Sequence, residues 1–194
     1  MIALREVRLV NWHYFRDERL EVGERTLISG NNAMGKSTIV DAVQYALAAD
    51  LRKARFNLAA GDRRGGRDLI GYVRCKIGSD TTEYLRGDTV AHVMLGFRRD
   101  DSDFTAGVCV EAFADGRTAE RFWIGQDVRV ADVAVRAEDK SPLVWRQFRD
   151  RLGANGVEFY ESKRDYIRNL TDRLGVFRRV AEYNPYLESF TRSV

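Results

Sequence analysis

The chain has 194 residues, 44% of them hydrophobic and 31% charged, with a formal net charge of +3. That length fits one domain, or one domain with an elaboration, and the composition excludes disordered and fibrous classes. The start, Met1-Ile2-Ala3-Leu4-Arg5-Glu6, is charged too early for a signal peptide, and no apolar run approaches the roughly 18 residues of a membrane span. A cytoplasmic protein with no membrane partner is expected, its Cys75 and Cys109 reduced, buried and too far apart to match a metal spacing.

The opening stretch, Leu4 to Val10, predicts a strand with Val7 and Leu9 on one face. Arg19 to Val22 predicts a second short strand, punctuated by Gly23. Arg25 to Ser29 predicts a third, running through Leu27 and Ile28 into a glycine loop. From Lys36 the period becomes helical, with Ile39, Val43, Ala46 and Leu47 in step to about Ala49. Residues 52–67 read as a loop. They hold Arg52, Lys53, Arg55, Arg63, Arg64 and Arg67 against the single acid Asp62, a sum of +5, so the basic surplus is local.

Asp68 to Lys76 predicts a short helix. Alternation in Ala91, Val93, Leu95 and Phe97, in Val108, Val110 and Ala112, and in Phe122 and Ile124 predicts an antiparallel meander over about 90–125. Asp115-Gly116 marks a tight hairpin, both positions tolerating positive φ. The last third, 141–194, reads as helical. Ser141-Pro142 opens one helix carrying Val144, Phe148 and Leu152 and stopped by Gly153. Ser162 and Asp165 resemble a capping box for a second, with Ile167, Leu170 and Leu174 as its stripe and Gly175 as its stop. Asn184-Pro185 opens a third, carrying Tyr186, Phe190 and Val194. It ends without a C-cap, as expected of a piece of a longer polypeptide.

Between the third strand and the first helix lies Gly30-Asn31-Asn32-Ala33-Met34-Gly35-Lys36-Ser37, a G-x-x-x-x-G-K-S phosphate loop in the strand–loop–helix context that the motif requires. The glycines let the backbone curl close to phosphate, and the following amides and helix N-terminus offer an anion nest. Lys36 is expected on the β- and γ-phosphates, Ser37 on Mg²⁺ and Thr38 on the α-phosphate. The chain lacks the Asn-Lys-x-Asp tetrad of GTPases. A small-molecule kinase is a rival on size, but a β meander after the loop helix argues against it. No Leu-Ser-Gly-Gly signature occurs. The nearest Walker B candidate, Val108 to Asp115, reads better as a strand entering a turn, because Gly116 rather than an acidic base follows Asp115.

The stretches Leu9-Val10-Asn11-Trp12-His13-Tyr14-Phe15 and Ile28 to Ala42 resemble the N-terminus of an SMC-family ATPase head. Within that superfamily the chain is most similar to the JetC family of Wadjet anti-plasmid systems and its MukB and MksB relatives. Asp68-Leu69-Ile70-Gly71-Tyr72-Val73 and Asn184-Pro185-Tyr186-Leu187-Glu188-Ser189-Phe190 add to that likeness. The resemblance implies an α/β P-loop NTPase fold, an ABC/SMC-type lobe with a mixed sheet, an antiparallel meander and C-terminal helices. Residues 1–50 would form the P-loop core of a lobe spanning 1–194, with the coiled coil, hinge and C-terminal lobe elsewhere. It also implies a composite site. Two heads would sandwich ATP and Mg²⁺, each supplying its P-loop to the other's signature motif, so no catalytic residue is expected in this chain and the chain alone should be inactive. Implied partners are double-stranded DNA, the protein's own C-terminal lobe, a second head in a homodimer, a kleisin, winged-helix subunits and a toprim-type nuclease subunit, in a nucleoid-associated complex. His13 and Tyr14 would lie near adenine and ribose, and Arg52, Lys53, Arg55, Arg63, Arg64 and Arg67 near DNA phosphates. The family's second Mg²⁺ contact comes from a glutamine at the end of the first lobe; Gln126 and Gln147 are poorly sited for it, Ser193 or a residue beyond Val194 falls in that region, and the contact stays open. A RecF- or SbcC-type repair head remains an alternative.

Overall fold

The structure, a computed structural model, describes residues 2–49, 68–78, 83–100, 102–153 and 155–175. The basic stretch 52–67, and with it the six candidate DNA-contact residues, lies outside the described residues, as do the expected helix from Asn184 and Ser193.

Six strands form one sheet in the order β2-β1-β3-β4-β5-β6, where β1 is Ile2–Trp12, β2 Phe15–Glu21, β3 Thr89–Arg99, β4 Ser102–Ala112, β5 Thr118–Gln126 and β6 Val157–Tyr160. Every neighbouring pair is antiparallel. The expected mixed sheet is therefore corrected among the described residues. The reason lies in residues 25–29, expected as a third strand but paired with nothing and exposed throughout. A strand needs a neighbour for its backbone donors and acceptors, and none of the described strands lies beside this one.

One face of the sheet carries Val7, Leu9, Val93, Leu95, Ala106, Val108, Phe122 and Ile124 into the main core. Against it pack α1 (Lys36–Ala48), α2 (Leu69–Val73) and α4 (Lys163–Leu174). In α1 the buried stripe runs through Thr38, Ile39, Asp41, Ala42, Tyr45 and Ala46, so the expected Val43 and Leu47 sit at its margin. Asp41 tolerates burial because the Tyr72 hydroxyl of α2 donates to it. Asp68 caps α2 through a 2.6 Å bond from Gly71 N, and Ser162 caps α4 by accepting from Asp165 N, as the sequence suggested.

The opposite face is covered by residues 128–152, a strap containing a 3₁₀ turn (Val130–Asp132) and α3 (Trp145–Leu152). Val10, Met94 and Trp123 of the sheet pack there on Val130, Val133, Val135, Leu143 and Phe148. An ion-paired cluster fastens the strap. Arg8 on β1 and Arg136 on the strap share Asp17 of β2 at 2.8 and 3.0 Å, and Arg8 also donates to Val133 O at 2.9 Å. Burial raises the Asp17 pKa, but hydrogen bonds and charge from the two guanidiniums outweigh it and hold the carboxyl below its ordinary range. At Gly107, a Cβ would meet the Trp123 indole at 2.3 Å, so only glycine lets that ring lie flat on β4.

Three local expectations are revised. The helix expected from Ser141-Pro142 starts at Trp145 instead. Ser141 bonds to Asp139 and Pro142 bridges Arg136, and these local alternatives compete with helical start geometry. The 113–117 turn is longer than a two-residue hairpin, with Gly116 alone at positive φ and Gly116 N donating to Phe113 O. The last third, read as mostly helical, also contains β6, which extends the sheet beyond β5.

Candidate nucleotide site

The phosphate-loop motif occupies a bare helix N-terminus. Gly30, Ala33 and Gly35 have φ values of 154°, 66° and 87°, which curl the chain through the left-handed region before α1 begins at Lys36. The helix start carries no side-chain cap and no acid in its first turn. Its first amides therefore keep their partial positive charge directed outward, the electrostatic condition for holding an anion. Residues 30–34 are exposed, while Gly35, Lys36 and Ser37 are half-buried and Thr38 is buried.

Lys36 closes the loop on itself: its ammonium donates to Gly30 O at 2.7 Å and Asn31 O at 2.8 Å. Those bonds anchor the side chain across the mouth of the loop, where a phosphate would meet it. Met34 N donates to Asn31 O at 3.4 Å, a long turn bond. The loop is braced from beneath by Phe15, the first residue of β2. A Cβ on Gly35 would lie 2.8 Å from the tip of that ring, so the glycine is required by both its φ and its neighbour.

The turn between β1 and β2 lies along the same edge. Trp12 Nε1 donates to Thr38 O at 3.2 Å, one residue past the motif. Its indole stacks between Tyr72 of α2 and Tyr45 of α1, at 4.8 and 5.6 Å between ring centroids. With Trp12 on α1 and Phe15 on Gly35, the intervening His13 and Tyr14 are held beside the phosphate loop. Tyr14 is 62% exposed and meets the His13 ring edge-on at 4.4 Å. Residues 30–38 and the pair His13–Tyr14 are thus brought to one edge of the sheet.

Residues 4–63 match the family model for the P-loop containing region of AAA domains. No curated protein matches the chain. The match and the α/β architecture together give a P-loop NTPase-like domain, a fold whose family generally binds nucleotide and Mg²⁺. The loop fits such a ligand, with an uncapped helix start, a glycine cradle that a side chain would fill, and Lys36 at its mouth.

Other residues that the sequence singled out fall away from the loop. Asp115 is tied to Arg117 in an exposed turn, as its Gly116 neighbour suggested. Gln126 accepts from Arg173 of α4 at 2.8 Å, and Gln147 lies exposed on α3 across the sheet. His92 is wholly buried under the strap, where its Nε2 meets Leu143 O at 2.9 Å. Both cysteines are free and buried.

Sequence reasoning missed Arg86. Its guanidinium donates to Asn11 O, Val73 O and His13 O at 3.3, 3.0 and 2.8 Å. These partners lie up to 75 residues away, and a single arginine between Leu85 and Gly87 carries no periodic signal.

Proposed function

We propose that this chain is the ATP-binding half of an SMC-like ATPase head whose intact complex translocates along or extrudes double-stranded DNA. The observation that carries this reading is the half-built flank of the phosphate loop. Leu27 is 88% exposed and Ile28 41% in the unpaired segment before the loop, Met34 is 69% exposed in the loop, and Val40 is 43% exposed on α1 just behind it. In a complete small kinase this segment would be a central, buried strand. Here it offers backbone donors, acceptors and apolar side chains to polypeptide outside the described residues, which we assign to the protein's own C-terminal lobe. Burying one such side chain contributes roughly 1.5–3 kcal/mol, enough to make the docked lobe an integral part of the fold.

In this reading Lys36 and the amides of residues 32–37 hold the β- and γ-phosphates of ATP. Ser37 ligates Mg²⁺, Thr38 reaches the α-phosphate, and His13 and Tyr14 border the base. The Walker B acids come from the C-terminal lobe, and the signature motif from a second head in a homodimer. The JetC-like stretches favour plasmid defence, with kleisin, winged-helix and toprim-type nuclease partners in the nucleoid. Chromosome organisation and break repair are carried by the same head design. Residues 52–67 carry the local basic surplus that this reading sets against DNA phosphates.

The test uses the 194-residue chain. It should bind Mg·ATP weakly, lose that binding on Lys36→Ala, and hydrolyse almost none. Unchanged affinity in Lys36→Ala would remove the phosphate-loop assignment, and brisk turnover by the chain alone would remove the half-site.

A further inference from the structure

Two residues that flank Trp12 hold unfavourable backbone conformations. Asn11 and His13 have φ values of 51° and 53°, in the left-handed region, which asparagine and histidine enter more readily than most residues but which still calls for local support. Such strain persists only where surrounding bonds over-determine it. Three of the bonds that do so here come from one side chain. Arg86 Nη1 donates to Asn11 O and to Val73 O, and Nη2 donates to His13 O. Arg86 is itself fixed at both backbone ends, its N–H bonded to Arg74 O at 3.0 Å and its carbonyl accepting from Arg74 Nε at 3.0 Å. His13 N completes the clamp by donating to Tyr72 O at 2.7 Å.

The planar fork thus joins three segments: the end of β1, the β1–β2 turn and the last turn of α2. Val73 O is one of the carbonyls that a helix C-terminus leaves without an internal partner. Among the described residues Arg86 has no carboxylate ion pair, so its charge is met by oriented backbone dipoles. That geometry sets the direction of His13 and Tyr14 at the edge of the phosphate loop and leaves Lys36, Gly30 and Gly35 untouched.

We infer that Arg86 is a positioning residue for base recognition: by clamping the β1–β2 turn it presents His13 and Tyr14 to the nucleobase, while the phosphates are held independently of it. The inference rests on the nucleotide-binding reading above and adds a division of labour within that site. A purine stacked on Tyr14 should strengthen binding about tenfold over the phosphates alone. Lysine at position 86 keeps the charge but loses the fork.

The experiment compares affinities of the 194-residue chain for Mg·ATP and for inorganic tripolyphosphate by titration calorimetry. Wild type should prefer ATP about tenfold. Arg86→Lys and Arg86→Gln should lose that preference with tripolyphosphate affinity unchanged. Tyr14→Ala should do the same, and Arg86→Lys combined with Tyr14→Ala should lose no more than either alone. A parallel loss for both ligands would overturn the inference, since a merely structural arginine acts that way. So would a persisting ATP preference. Should neither Arg86 variant fold, unchanged ATP affinity in both His13→Ala and Tyr14→Ala would overturn it. A wild-type chain that bound neither ligand would overturn the nucleotide reading itself, whereas equal binding of both would overturn the positioning role alone.

Discussion

Lowering the pH from 7 to 5 should loosen the strap through one imidazole, His92. The ring is fully buried on β3 and packs against Phe148 of α3 at 4.8 Å. Leu143 O can only accept, so Nε2 carries the proton and Nδ1 is the bare nitrogen. Among the described residues Nδ1 has no hydrogen-bond partner. Protonation would add a charge and a donor with nothing to receive it. Burial therefore lowers the pKa from 6.5 to about 4, against a smaller opposing pull from the Leu143 bond; the Arg8 charge pushes the same way as burial. The folded value lies below the unfolded one, so the neutral ring contributes stability that is complete above about 6.5 and lost as pH falls towards 4. Linkage over that window gives a loss of about 2 kcal/mol at pH 5 relative to pH 7. For a domain of this size that is a fall in Tm of about 4–8 °C. Urea unfolding of wild type and His92→Gln at both pH values isolates the effect, because glutamine can still donate to Leu143 O and has no proton to gain. Asp17 does not confuse the comparison: its depressed pKa places its own loss below the ordinary carboxylate range. Equal pH sensitivity in the two proteins would refute the assignment of this loss to His92.

Three further outcomes follow from packing. Gly35→Ala should abolish Mg·ATP binding with little change in secondary structure by circular dichroism, because the loop's φ of 87° and the Phe15 ring both exclude a Cβ; retained affinity would contradict the cradle. Gly107→Ala should destabilise the chain by roughly 1–3 kcal/mol in chemical unfolding, since Trp123 must leave its bed on β4; a variant as stable as wild type would show that the indole has room. Leu27→Asp should leave the Tm of this chain within about 1 °C, because an 88% exposed side chain has little to lose. In the full-length protein the same change should block lobe assembly and ATP turnover, and full activity there would contradict the docking flank.

The legible parts of the sequence were those where one physical signal dominated. The meander announced itself through alternation, and β3, β4 and β5 fall within a few residues of where Ala91, Val108 and Phe122 placed them. Glycine and a capping serine marked both ends of α4. The phosphate loop was readable because its spacing is fixed by a ligand. Illegible parts had competing or non-local causes. Leu27 and Ile28 read as a strand, but a strand is a property of two segments and the partner is not beside them. β6 has four residues with Glu158 between Val157 and Phe159, too short to stand out from the helices around it. Ser141-Pro142 looked like a helix start because its local bonds to Asp139 cannot be seen in the pattern. Arg86, the hub of the β1–β2 turn, acts through carbonyls, and backbone oxygens leave no residue-type signature.

The chain has three tryptophans, and the structure sorts them optically. Trp123 and Trp145 sit on the strap side of the sheet, whereas Trp12 lies on the α1 side, sandwiched by two tyrosines with its N–H on the Thr38 carbonyl. That carbonyl belongs to the first turn of α1, the helix whose N-terminal amides are proposed above to hold the phosphates. Any shift of that peptide as the loop fills alters the indole's hydrogen bond at 3.2 Å, and with it the energy of the emitting state. The molecule therefore carries its own fluorophore within one bond of the loop, and two distant indoles as an internal standard.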